Sequence, residues 1–148
     1  MKIVVDANIV FSGILNSNGK IGDLLINYGK HFSFIAPDFL RTEIYNHHEK
    51  LVRISNLTLT QVLESEYQIY KSIRFISEEQ IDEKNWQLAN ELVGDIDTND
   101  IIYVAYAKQF RCKLWTGDKK LINELAKKKY YDILTTENLY VIRNNNLF

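Results

Sequence analysis

Three acidic side chains stand where the sequence predicts the ends of strands or the starts of helices, and a fourth lies within a helix. Asp6 follows the apolar, β-branched run at residues 3–5, and Asp118 follows another apolar stretch by one glycine. Asp100 opens an unusually apolar segment, and Glu43 lies in a helix that follows the second apolar run. A buried strand seldom ends in an acid that has no partner. We expect a parallel sheet to bring these four groups to one edge.

Carboxylates gathered at one edge repel each other. At ~4 Å and an effective dielectric constant of 20, each pair costs on the order of 4 kcal/mol. Proteins relieve such repulsion by raising the pKa of a carboxyl group or by binding a cation. Oxygen ligands without nearby His or Cys favour Mg²⁺ or Mn²⁺. Such ions activate water and stabilise phosphoryl transfer, so the pattern predicts metal-dependent hydrolysis of a phosphodiester.

Each acid also has a purely structural interpretation. Asp97 and Asp118 are suited to cap the helices that follow them, and Asp100 in a first turn suits the helix dipole. Glu43 could be an exposed helix carboxylate that pairs with His47 four residues later. Any one of these acids is weak support for a metal site, and the full set in this order is stronger.

The chain is predicted to be a single domain over residues 1–148, with strands and helices in alternation. Such alternation is typical of an α/β fold with a parallel sheet and helices on both sides. Apolar runs predict strands near residues 3–5, 32–36, 74–76, 113–116 and 132–135. Helical periodicity predicts helices over 38–53, 57–73, 101–110 and 119–128, with a short turn at 137–139.

The amino-acid composition limits the cellular compartments and the binding partners that we expect for this protein. The single cysteine, Cys112, excludes an internal disulfide, fits a reducing compartment and is interpreted as a core residue. No run approaches the ~20 apolar residues that a membrane span needs, so we expect a cytoplasmic protein without membrane contact. A net charge of −1 means that any nucleic-acid contact requires basic groups segregated from the acids.

Four segments, taken together, resemble the motifs of PIN-domain ribonucleases. The closest likeness is to the bacterial and archaeal stand-alone PIN proteins, which include VapC-like toxins of toxin–antitoxin pairs. The resemblance spans about residues 2–140, and the spacing of the segments fits. The segments are IVVDANIVFS at 3–12, FLRTEI at 39–44, DIIYVAYA at 100–107 and WTGDKKL at 115–121.

The resemblance implies a Rossmann-like α/β/α sandwich with a central, mostly parallel sheet. It also implies Mg²⁺- or Mn²⁺-dependent cleavage of RNA, a homodimer and a cognate antitoxin protein as partner. By position, the catalytic and metal-binding acids would be Asp6, Glu43, Asp100 and Asp118. The polar residues that orient carboxylates or water would be Asn8, Ser12 and Thr116.

Two acids could be the metal ligand of the third motif, because Asp97 lies three residues before Asp100. Both are retained as metal ligands, and Asp100 is preferred because it stands eighteen residues before Asp118, as in the commoner family pattern. Lys119 and Lys120 follow Asp118 directly and are the candidates for RNA phosphate contacts.

Two other functions compete with the nuclease. The segment 93–98 superficially resembles the nucleophile loop of haloacid-dehalogenase-like phosphatases, but that loop should follow the first strand. There Asp6 is followed two residues later by the amide Asn8, which cannot act as a general acid. A non-catalytic PIN-like module that binds RNA or protein would be expected to lack one or more of the acids, and none is lost.

Overall fold

The computed structural model describes residues 1–146, and its five strands form one parallel sheet. The order across the sheet is β3-β2-β1-β4-β5, and every neighbouring pair is parallel. This confirms the predicted α/β fold. The strands are β1 (Lys2–Val5), β2 (Ser33–Pro37), β3 (Ile73–Ile76), β4 (Lys113–Trp115) and β5 (Ile133–Leu134).

Nine α-helices lie between or after these strands in residues 1–146. Helices α1, α2 and α5 pack against one another, whereas α7 packs on α6 and contacts β1, β2 and β4. Within the same residues, no helix is long and apolar enough to cross a membrane. The helices are α1 (Ala7–Leu15), α2 (Lys20–Asn27), α3 (Phe39–Asn46), α4 (His48–Ser55), α5 (Leu59–Tyr70), α6 (Glu83–Val93), α7 (Ile101–Gln109), α8 (Lys119–Lys127) and α9 (Thr136–Asn146).

Strand β1 lies at the centre of the sheet, and the chain turns to opposite sides of it. Ile3, Val4 and Val5 are fully buried, as the β-branched run predicts for a strand covered on both faces. The chain runs from β1 to β2 on one side, and β4 later pairs with the other side. In open α/β sheets such a reversal leaves a crevice at the carboxyl ends of the strands, where ligands bind. Asp6 lies at this crevice.

Helix α7 is buried almost all round. Residues 103–107 are consecutive and all buried, so no polar face remains in its middle. The small Ala105 and Ala107 allow a close approach to neighbouring elements, as their position in an apolar helix predicts. The helix carries Asp100 at its start, and its burial fixes the position of that residue relative to β1 and β2.

Two sequence-based predictions about helix limits were wrong. The single helix predicted over 38–53 is two helices, because the backbone of His47 leaves the helical region and its N–H bonds to the carbonyl of Ile44. The turn predicted at 137–139 is the start of α9. Thr135 and Asn138 exchange two hydrogen bonds between side chain and backbone, which is a helix-starting arrangement.

For the helix at 57–73, helical spacing predicts an apolar face made of Leu59, Val62, Leu63, Tyr67 and Tyr70, and this prediction was partly wrong. Leu59, Leu63 and Tyr67 recur every four residues, but 51%, 43% and 63% of their surfaces are exposed. Val62 of the predicted face is buried, and the other buried side chain of α5 is Ile69, which the prediction left out. Helical periodicity located the helix, but Leu59, Leu63 and Tyr67 form an exposed apolar stripe.

Candidate active site

Asp6 lies directly after β1 and is almost wholly buried, with 4% of its surface exposed. Its Oδ1 accepts the backbone N–H of Ile9 at 2.9 Å, so the side chain caps α1. The hydroxyl of Thr116 lies close to the carboxyl group and lowers its pKa. Burial is the largest influence and raises the pKa of Asp6 to about 6. Asp6 therefore loses its proton far less readily than a surface aspartate.

Thr116 and Asp118 follow β4, the strand beside β1. Thr116 is fully buried, and its Oγ1 accepts the backbone N–H of Asp118 at 3.2 Å. Asp118 in turn caps α8, with its Oδ1 accepting the N–H of Leu121 at 3.1 Å. The charge of Asp118 contributes to the raised pKa of Asp6. Thr116 thus links the two strand ends that carry these acids.

Asp100 lies at the start of α7 with one carboxyl oxygen, Oδ2, buried and without a hydrogen-bond partner in residues 1–146. Burial is the main reason that its pKa rises to about 7, and the charges of Asp97, Asp6, Asp118 and Glu43 raise it further. All the predicted acids therefore act electrostatically on this one group. A buried oxygen without a partner is costly unless something else satisfies it.

Asp97 lies at the rim of this cluster. Its side chain is exposed, and its Oδ1 accepts the N–H of Asn99 at 2.9 Å, which caps the 3₁₀ turn Thr98–Asp100. Its charge is nevertheless the largest electrostatic contribution to the raised pKa of Asp100. The structure therefore shows both the capping contact and proximity to the other acids.

Glu43 reaches the cluster from α3. It is half-buried, and the phenol of Tyr103 donates a hydrogen bond to its Oε1 at 2.6 Å. Burial raises the pKa of Glu43, although the Tyr103 bond and the charge of His47 act in the opposite direction. The predicted pairing with His47 is thus an electrostatic influence, while the hydrogen-bond partner is Tyr103.

Tyr103 was not among the predicted site residues, because the spacing of the tyrosine in an apolar helix predicts a core position. The side chain is buried, with 3% of its surface exposed. Burial and the adjacent Glu43 raise the pKa of its phenol well above the usual range, so the hydroxyl keeps its proton. The available signal was a tyrosine in an apolar helix three residues after Asp100, since a buried phenol normally finds a polar partner.

The remaining predicted residues lie around the cluster. Asn8 has an exposed side chain, and its backbone N–H lowers the pKa of Asp6. Ser12 is exposed on α1 and lines a groove with residues of α2 and α9. Lys119 and Lys120 are exposed in the first turn of α8, directly after Asp118.

The donors suit a hard divalent cation, although they do not form a finished metal cage. In residues 1–146 no group of three or more His, Cys, Asp or Glu side chains is arranged so that it could hold a metal ion as it stands. The donor set nonetheless consists of carboxylate oxygens, which Mg²⁺ and Mn²⁺ prefer. The partnerless Oδ2 of Asp100 and the raised pKa of Asp6 are features that a cation would relieve.

The segment that resembles a phosphatase loop does not follow a strand. Residues 93–98 begin at the last residue of α6, and Asp95 is exposed and forms an ion pair with Lys128 at 2.6 Å. This location does not provide the strand-end nucleophile that such phosphatases require.

Comparison with known families agrees with the geometry. A family model described as "PIN domain" matches residues 4–139, a stretch that includes the last two residues of β1 and all four predicted acids. The chain belongs to the PIN-domain family. PIN domains are generally nucleases that use divalent metal ions. A comparison with curated proteins found no match.

Two solved structures share the PIN fold of this chain. VapBC2 from Rickettsia felis, solved bound to a DNA fragment from its promoter, matches with 15% identity and a TM-score of 0.62, over 91% of this chain and 97% of that one. PAE2754 from Pyrobaculum aerophilum matches with 14% identity and a TM-score of 0.66, over 95% and 88%. At these identities the likeness concerns the fold alone.

Proposed function

We propose that this PIN domain is a Mg²⁺- or Mn²⁺-dependent endoribonuclease that cleaves phosphodiester bonds of RNA. The observation that carries the proposal is the buried, partnerless Oδ2 of Asp100, surrounded by the charges of Asp6, Glu43 and Asp118. A divalent cation would supply that oxygen with a partner and neutralise the repulsion.

Four carboxylates would hold the ion, with Asp97 as a further ligand at the rim. When bound, a divalent cation supplies an activated water and neutralises developing charge on the phosphate. The chain's own part is to hold the carboxylates ready. Asp6 and Asp118 are each fixed by a helix-capping bond through Oδ1, which leaves Oδ2 of each free of that bond. The acids are Asp6, Glu43, Asp100 and Asp118.

Basic residues beside the acids would draw the phosphate backbone toward the site. Lys119 and Lys120 are exposed and adjacent in sequence to Asp118, so they fit this role. On the other side, His47 influences Glu43, and Lys50 lies 5.6 Å from the ring of Phe11. In this way a chain with a net charge of −1 would bind the RNA backbone through basic side chains near the site.

We further propose that the protein is the toxin of a toxin–antitoxin pair and forms a homodimer. The support is the PIN fold that it shares with the Rickettsia VapBC2 complex. The exposed stripe of Leu59, Leu63 and Tyr67 offers an apolar surface for a protein partner. Size-exclusion chromatography with light scattering would report a dimer mass if this is correct, and a monomer mass would contradict the homodimer.

The decisive experiment for the activity is cleavage of a labelled, mixed-sequence, single-stranded RNA. We expect products with Mn²⁺ or Mg²⁺, none with EDTA, and none from Asp6→Asn under any condition. Asp132→Asn is a matched control, because Asp132 is an exposed acid just before β5 and away from the strand ends that carry the site. RNA binding without cleavage in every condition would contradict the nuclease and favour a non-catalytic binding module.

A further inference from the structure

The phenol oxygen of Tyr103 connects three parts of the acidic cluster. It donates to Oε1 of Glu43 at 2.6 Å and lies near the backbone N–H of Ala7, the residue after Asp6. Tyr103 itself lies on α7, three residues after Asp100. One buried hydroxyl therefore lies against both the helix that carries Glu43 and the residue next to Asp6. Its own helix, α7, begins directly after Asp100.

We propose that Tyr103 is a positioning residue that holds the Glu43 carboxylate at the metal site through its hydrogen bond to Oε1. The inference rests on the proposed nuclease function and deepens it, because it assigns a role to a residue outside the predicted set of acids. Tyr103 acts through Glu43 and does not itself bind the ion.

Glu43 needs such a support more than the other acids do. Asp6 and Asp118 have short side chains, each fixed by a backbone N–H of the helix that it caps. Glu43 lies within α3, an eight-residue helix, and has a longer side chain with more rotamers to restrict. The Tyr103 bond occupies Oε1 and leaves Oε2 for a cation. Partners that orient ligating carboxylates in this way are worth about 10- to 100-fold in metal affinity.

Tyr106 on the same helix provides a matched comparison for a purely structural role. Its side chain is fully buried, and its hydroxyl donates to the backbone carbonyl of Ile76 at 2.7 Å. Replacing either tyrosine with phenylalanine removes one buried hydroxyl from α7 and leaves one former acceptor unsatisfied. Only the change at Tyr103 removes a bond to a predicted metal ligand.

The test is a calorimetric Mn²⁺ titration of the wild type, Tyr103→Phe, Tyr106→Phe, Glu43→Ala and the double variant Tyr103→Phe/Glu43→Ala. Thermal unfolding of each protein shows whether it is folded. We expect Tyr103→Phe to weaken Mn²⁺ binding about 10- to 100-fold, and Tyr106→Phe to leave it within about twofold even if its unfolding temperature falls. In the Glu43→Ala background, the Tyr103 change should have almost no further effect.

Three outcomes would overturn the inference. Equal affinities for Tyr103→Phe and Tyr106→Phe would show that the hydroxyl does not support the site. If the losses of Mn²⁺ affinity caused by the two single changes multiply in the double variant, Tyr103 does not act through Glu43. Absence of Mn²⁺ binding by the wild type would overturn the proposed function itself, and the positioning role with it.

A second variant serves if Tyr103→Phe does not fold. Glu43→Asp keeps the charge and the tyrosine but shortens the side chain by one methylene, so it cannot keep both the Tyr103 bond and its reach into the site. We expect at least a tenfold loss of Mn²⁺ affinity, and an unchanged affinity would overturn the inference.

Discussion

The hydroxyl of Thr116 lies close to the carboxyl group of Asp6 and lowers its pKa, across the adjacent ends of β4 and β1. The same oxygen accepts the N–H of Asp118 at 3.2 Å. Since β1 and β4 flank the point where the chain reverses its direction across the sheet, Thr116 lies between two acids at the position where α/β folds place their ligands.

Replacing Thr116 with valine should therefore weaken metal binding. Valine matches the shape of threonine but cannot donate to Asp6 or accept from Asp118, so we expect about a 10- to 100-fold loss of Mn²⁺ affinity by calorimetry. Thr116→Ser keeps the hydroxyl and is the control, expected to stay within a few-fold of the wild type. Equal losses in both variants would point to packing and not to the hydrogen bonds.

The stability of the metal-free protein should depend on pH through Asp100. Its pKa is about 7 in the folded protein against an ordinary value of 3.8, so the folded state binds the proton more tightly than the unfolded state. The contribution of Asp100 to the free energy of unfolding is then fully present below about pH 4, and it is lost as the pH rises toward about 7.

The variant Asp100→Asn removes this dependence. Its stability advantage over the wild type should grow between about pH 4 and about pH 7 and then level off. The plateau should be on the order of 1 to 2 kcal/mol, since the group is only half-buried. Chemical denaturation in EDTA at several pH values measures the difference, and an advantage that shrinks as the pH rises would have the wrong sign.

Lys119 and Lys120 should contribute to RNA affinity and not to metal binding. The double variant Lys119→Ala/Lys120→Ala should bind single-stranded RNA more weakly, and the slope of log affinity against log salt should fall by about 1 to 1.5. Lys127→Ala/Lys129→Ala is the matched control, because it removes two exposed lysines at the far end of α8. Fluorescence anisotropy over a salt series provides the measurement, and equal slopes for the two variants would remove these residues from the RNA path.

Much of the fold followed from short sequence patterns. The run at residues 3–5 has no polar position, so it predicted a strand buried on both faces, and alternation of strands and helices predicted the parallel sheet. The same patterns predicted that the acids lie near one another, because the carboxyl ends of parallel strands share an edge. The sequence could therefore predict the positions of residues that directly follow a strand or begin a helix.

Features that depend on distant neighbours were not predictable in the same way. Periodicity grouped the exposed Leu59, Leu63 and Tyr67 with the buried Val62 in one apolar face but could not show which side of α5 meets α1 and α2. Likewise, Tyr103 and Glu43 are sixty residues apart, so no local pattern connects them. The break at His47 arises from one backbone conformation, which no proline or glycine announces.

The most direct test of the account is a calorimetric Mn²⁺ titration of the wild type, Asp100→Asn and Asp97→Asn. Asp100 has the buried Oδ2 that needs a partner, whereas Asp97 is exposed and caps a turn. We predict that the wild type binds Mn²⁺, that Asp100→Asn loses most of this affinity, and that Asp97→Asn changes it only a few-fold. A wild type that binds no Mn²⁺, or a loss confined to Asp97→Asn, would contradict the claim that Asp100 is central to a metal site.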